Sequence, residues 1–384
     1  MRILVTSSPG AGHIHPLVPL AAALQSAQHE VLWATEAAAC ARVERYGFRS
    51  APAGISVQER RRVLLEHAPN VLAIPERERR HVFLPVMFGR IAAPPMRADL
   101  VAIVDRFRPD VVIHEVGEFA AAPVAAARDI PHVTVGFGLA LPPSLLAATA
   151  AEVADVWKAE GLEPSDSAGL YDHLYFHPLP PGLGETITAS TATAMRPLHF
   201  DGAANDEPDW IAGFGRDRPA IYVTFGTEIA GLAPWTEMIE ALGAIDADAV
   251  ATFGSTIAQA PDRVPPNVRV EEYVPQTFLL DRATAVASHA GSGTLFAAAA
   301  RGLPQLCLPI GADQWDNADA LDATGAGRTL ELEERDAATI HDALTQLLES
   351  SSTRDAANTL AGDFAALPHP RERVSLIEAR ARNS

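Results

Sequence analysis

The run Ala283-Thr-Ala-Val-Ala-Ser-His289-Ala-Gly291-Ser292-Gly293-Thr294, followed by Leu295 to Arg301, has residue types suited to holding phosphate. A short apolar strand runs into a Gly-rich turn and then a helix, whose first N–H groups have no partner inside the helix. Aligned peptide dipoles place partial positive charge at the same end, so a diphosphate can be held there without any lysine. Gly291 and Gly293 allow close backbone approach, Ser292 and Thr294 offer hydroxyls, and His289 adds a side-chain donor. Taken alone, the run also reads as a capped strand-to-helix turn with His289 satisfied in the core. A second junction, Gly10-Ala11-Gly12-His13-Ile14-His15-Pro16, follows the β-branched run Ile3 to Thr6 and presents a histidine. Imidazole, with an ordinary pKa of about 6.5, suits proton transfer near neutral pH.

Both turns need strands and helices to hold them. Ile3 to Thr6, the apolar helical stretch Pro19 to Ala27 and the strand Glu30 to Ala34 form a βαβ unit. The alternation continues through a strand at Asp110 to His114, a helix from about Phe119 to Ala127 and a strand at His132 to Val135. Between Tyr171 and Asp217 the pattern breaks down into Pro, Gly and polar residues, the latter part reading as a linker. A second alternation begins at Ala220 to Phe225 and runs through Val250 to Phe253 and Val268 to Val270. Two Rossmann-like α/β domains with parallel sheets account for this better than one large sheet. The expected division is residues 1–200, a linker at 201–217, a second domain at 218–366, and a C-terminal helix at 367–384 packing back toward the first domain.

Composition narrows the partners. A chain of 384 residues with net charge −18 has no basic patch, which argues against nucleic acid or an anionic membrane. No uninterrupted apolar span is long enough to cross a bilayer. Cys40 and Cys307 alone make a disulfide framework improbable, and a reducing, cytoplasmic compartment is the simpler expectation. Clustered metal ligands are absent from the sequence, so neither a metal nor any other bound cofactor is expected.

Around the Gly-rich run stand Tyr273-Val274-Pro275-Gln276 upstream and Pro309-Ile-Gly-Ala-Asp313-Gln314-Trp-Asp-Asn317 downstream. The order Y-V-P-Q, H-A-G-S-G-T, R-G-L-P and P-x-x-x-D-Q-x-x-N resembles the donor-binding signature of inverting GT-B glycosyltransferases of family 1, and the likeness to bacterial natural-product enzymes covers most of the chain. The resemblance implies two facing Rossmann-like domains with a cleft between them. It also implies a nucleotide-sugar donor, a dTDP-sugar or a UDP-sugar with dTDP favoured, and a hydrophobic acceptor such as a polyketide. Tyr273 stands where the family commonly stacks a Trp on the pyrimidine, Val274 where the backbone meets the base edge, and Gln276 in the same loop. His289 and Gly291 to Thr294 match the diphosphate cradle, Thr227 a further phosphate contact, and Asp313 with Gln314 the pair that bonds sugar hydroxyls.

The G-H-x-x-P of the first turn resembles the family's N-terminal signature, which implies that His13 is the base that deprotonates the acceptor. His15 is expected to pack or to lie on the acceptor side. A carboxylate must then engage the other imidazole nitrogen. Glu115 follows the strand at 110–114 where the family usually has an Asp, and Glu118 competes for the role. Phe83, Met87, Phe88 and Phe137 are candidates for the acceptor wall, although the segment carrying the first three could equally pack on the domain as core. Other readings stay open: a nicotinamide-dependent oxidoreductase, whose G-x-G-x-x-G is missing from Ser7 to Gly12, a non-catalytic auxiliary protein of the same fold, and a homodimer.

Overall fold

The computed structural model describes residues 1–202, 206–226 and 230–382. By contacts the chain forms two compact units: Met1–Leu179 with Glu185–Ala203 and Leu367–Ser384, and Pro180–Gly184 with Ala204–Ala366. The first is built on strands β1 (Arg2–Thr6), β2 (Glu30–Thr35), β3 (Arg49–Pro52), β4 (Val111–Glu115), β5 (His132–Val135), β6 (Leu174–His177) and β7 (Ala192–Ala194). They pair in the order β3-β2-β1-β4-β5-β6-β7, every pair parallel. A parallel sheet is buried on both faces, and here Leu4 and Val112 enter a cluster with Met96, Leu100 and Trp157. Ile3, Val5 and Val111 enter the opposite one with Leu20, Leu24 and Ile377. The helix Pro370–Arg382 supplies Val374 and Ile377 to that second cluster, and Arg373 Nε donates to the Ala194 carbonyl at 2.9 Å. The C-terminal tail is therefore part of the first unit's core.

Strands β6 and β7 fall inside the segment where periodicity fails. Each has only three or four residues between Pro- and Gly-rich stretches, and the register of β5 and β6 extends the sheet over them. Between β3 and β4, the helices Val57–His67 and Glu76–Leu84, the π-helix Pro85–Ala92 and the helix Ala93–Phe107 form an insertion with its own small core of Leu64, Val71, Val86, Met87 and Ile91. Gly89 lets the π-helix lie against the helix Pro143–Ala159, since a Cβ there would stand 3.1 Å from Glu152 Cβ and 3.2 Å from Val153 Cγ1.

The second unit repeats the plan with β8 (Ala220–Thr224), β9 (Asp248–Thr252), β10 (Val268–Glu271), β11 (Ala285–Ser288), β12 (Gln305–Cys307) and β13 (Gly327–Thr329), in the order β10-β9-β8-β11-β12-β13, all parallel. In each sheet the strand order reverses once, between β1 and β4 and between β8 and β11. Ligands of open α/β sheets bind at that switch point, beyond the carboxyl ends of the strands. Among the described residues, no helix is long and apolar enough to cross a membrane.

Candidate active site

At the first switch point, β1 leaves the sheet at Thr6 and β4 at Glu115, Thr6 and His114 being register partners. After Ser7-Ser8-Pro9 the chain turns at Gly10 into the one-turn helix Ala11–Ile14, whose His13 and Ile14 amides both donate to the Gly10 carbonyl. Ile14 and Leu17 are sunk in the core, so the turn is anchored while His13 keeps 23% of its side chain exposed. His13 Nδ1 lies 3.0 Å from Glu115 Oε1. An ionised carboxylate only accepts, so Nδ1 carries the proton, and Nε2, with the lone pair, has no partner among the described residues.

The carboxylate is itself fixed. Its Oε1 also accepts from the Ser8 amide at 3.1 Å, and its Oε2 from the Gly117 amide. Burial alone would raise the Glu115 pKa, but His13 and these amides outweigh it and hold the carboxyl below its ordinary value. Gly10 and Gly117 flank the imidazole: a Cβ on Gly10 would stand 3.3 Å from His13 Cδ2, and one on Gly117 3.3 Å from Cε1. Glu118 is not His13's partner. It accepts from the Thr6 hydroxyl at 2.5 Å and the Ala120 amide at 2.7 Å, and burial pushes its pKa up to about 7.

Two of the expected wall residues close on His13: the ring centroids of Phe88 and Phe137 lie 5.3 Å and 5.1 Å from that of its imidazole. Phe83, half-buried, stands edge-on to Phe88 at 6.5 Å. Met87 is 8% exposed and packs in the insertion's small core, behind the aromatic rings. His15 bonds the Tyr46 hydroxyl at 2.9 Å, meets the ring of Phe200, and is lowered to about 4 first by burial and then by Arg42. These are packing contacts.

At the second switch point, the helix Ser292–Ala299 starts from Gly291 with no side-chain cap, leaving the amides of Ser292, Gly293 and Thr294 directed out of its end. A Cβ on Gly293 would meet nothing within 4 Å, so this end is open. The His289 ring is wedged between two glycines, where a Cβ on Gly226 or Gly291 would stand 2.9 Å or 2.5 Å from Nε2. Burial lowers His289 to about 4, partly offset by Asp313 and the Thr224 carbonyl, so the ring is neutral and carries a single N–H. Ser292 Oγ donates to Asp313 Oδ2 at 2.9 Å, and Asn317 Nδ2 reaches both at 3.0 and 3.1 Å.

Gln314 Oε1 accepts from the Ile310 and Gly311 amides at 2.8 and 3.0 Å, which fixes its loop and leaves its amide NH2 available. Gln276 and Thr294 bond one another at 3.2 Å, tying the Tyr273–Gln276 loop to the same helix. Val274 is buried with Leu279 and Leu280, while Tyr273 keeps 53% of its surface. Thr227 lies outside the described residues. Ala290 and Ala312 hold φ of 60° and 56°, left-handed conformations that cost an alanine roughly 1 kcal/mol each and cluster at functional loops.

Sequence reasoning missed Ser8 and Gly117, which hold Glu115, and gave Asn317 no role although its four-residue spacing from Asp313 on a helix puts the two side by side.

Two Rossmann-like domains, one carrying an imidazole–carboxylate pair and the other an open Gly-rich helix end, define a GT-B glycosyltransferase. Comparison with known proteins makes this particular. The profile of the erythromycin biosynthesis protein CIII-like N-terminal domain matches residues 22–226, and that of the C-terminal domain residues 236–379. The chain is 33% identical to an L-demethylnoviosyl transferase of Streptomyces niveus over 96% of each chain. It is 31% identical to the elloramycin glycosyltransferase ElmGT of Streptomyces olivaceus, over 96% of this chain and 95% of that one. The glycosyltransferase SsfS6 of Streptomyces sp. SF2575, solved with thymidine diphosphate, matches at a TM-score of 0.81 and 27% identity over 99% of each chain. The protein belongs to the erythromycin biosynthesis protein CIII-like family of natural-product glycosyltransferases.

Proposed function

We propose that this glycosyltransferase moves a sugar, a deoxysugar by preference, from a dTDP donor to a hydroxyl of a hydrophobic aglycone such as a polyketide, inverting the anomeric carbon. The observation that carries this is the His13–Glu115 pair, with Nδ1 engaged and Nε2 open. As the acceptor oxygen attacks the anomeric carbon, Nε2 takes its proton and Glu115 stabilises the imidazolium. A placed base contributes about 10² to 10⁴ in rate, on the order of 3–5 kcal/mol. The bond from the anomeric carbon to the diphosphate breaks with its electron pair on oxygen. That charge is met by the amides of Ser292, Gly293 and Thr294 with His289, so this reading needs no metal.

In this reading Tyr273, which is exposed, stacks on the base, and Asp313 and the Gln314 amide bond sugar hydroxyls. Phe88, Phe137 and Phe83 form the apolar acceptor wall, with Met87 supporting it. Thymidine diphosphate in SsfS6 and the sugar transferases among the relatives support the donor. A thermal-shift panel tests it: dTDP should stabilise the protein, by about 2.7 kcal/mol at a hundredfold excess over Kd. UDP should act less and NAD not at all. Stabilisation by NAD alone, or by none of the three, would overturn the donor assignment.

A further inference from the structure

Arg60 sits in the helix Val57–His67, within the insertion, yet it is 6% exposed and reaches the first switch point. Its Nε donates to the Ile55 carbonyl at 3.2 Å, and its Nη1 to the Ser8 hydroxyl at 3.1 Å. The amide of the same Ser8 donates to the Glu115 oxygen that receives His13. No carboxylate lies within ion-pair distance of the guanidinium among the described residues, and taking a cation out of water without a direct partner is unfavourable. The nearby carboxyls are Glu115, Glu118 and, more weakly, Glu36, and their attraction offsets part of the burial. A buried, unpaired arginine of this kind gives the fold little stability. It does fix a serine and place a positive charge beside a carboxylate that must stay ionised.

We propose that Arg60 is a positioning residue for the transfer reaction: through Ser8 it holds Glu115 in place and ionised, and so sets the tautomer and aim of His13. The proposal rests on His13 being the base. It ties the acceptor-side insertion, which also carries Phe88, to the geometry of the catalytic pair. Arg60 acts through Ser8, in the unit that does not carry the Gly-rich helix, so its loss should appear in kcat and not in KM for the nucleotide sugar.

The test is a double-mutant cycle of Arg60→Met and Glu115→Gln, with nucleotide titration as the measure of intact folding. Arg60→Met should lower kcat about tenfold or more, leave KM for the nucleotide sugar unchanged, and add no further loss to Glu115→Gln. Arg60→Lys, which keeps the charge and the fold but not both directed bonds, should fall between the two and stands in if the methionine variant does not fold. Losses that multiply in the double variant, or an unchanged kcat in both Arg60 variants, would overturn the proposal. Retained activity in His13→Ala would instead remove the base on which it rests, a separate outcome.

Discussion

At the scale of residues, two carboxyls three positions apart end up with opposite character. Glu115 has a histidine and two amides and is held as the anion. Glu118 has burial as its largest influence and is pushed up to about 7. A carboxyl raised from about 4.5 is most compatible with folding below that pH and loses stability as pH rises toward 7, in total on the order of 3 kcal/mol. Glu118→Gln keeps an acceptor for the Ala120 amide and removes the ionisation. Relative to the natural protein it should therefore gain stability between pH 5 and pH 8, measured by urea denaturation at each. An equal difference at both values would mean that Glu118 does not carry its proton at neutral pH. The choice between Glu115 and Glu118 was not legible in the sequence, because Glu115 ends β4 and Glu118 stands only three residues beyond it. The folded contacts decide it: Glu115 meets His13, while Glu118 turns to Thr6 and the Ala120 amide.

At the scale of elements, the strand-to-helix turn after β11 and the central strands were legible because long apolar or β-branched runs end in glycine, and little else adopts that pattern. Strands β6 and β7 were not: Leu174–His177 and Ala192–Ala194 are short, and their pairing with a preceding strand, not their own periodicity, makes them strands. The Arg60–Ser8–Glu115 link was equally hidden, since it joins residues far apart along the chain. At the Gly-rich helix, Gly293 and Gly291 differ in what a methyl group would meet. Gly293→Ala has open space and should fold normally, while in the proposed diphosphate cradle the added methyl would crowd the phosphate and should weaken dTDP binding about tenfold or more by calorimetry. Undiminished affinity would show that the diphosphate is held elsewhere.

At the scale of the whole molecule, the same architecture occurs twice, and each switch point presents a different set of side chains. In the function proposed above, the first copy supplies the proton acceptor at the ends of β1 and β4, and the second the anion cradle at the ends of β8 and β11. An acidic chain of net charge −18 thereby offers an anionic ligand local dipoles and N–H groups without a basic field. The two tasks should be separable by mutation. The most direct measurement is turnover with an alcohol acceptor and dTDP-sugar in His13→Ala, paired with titration of dTDP against the same variant. Turnover should fall at least about a hundredfold with the dTDP dissociation constant unchanged. Activity within a few-fold of the natural protein would contradict His13 as the base.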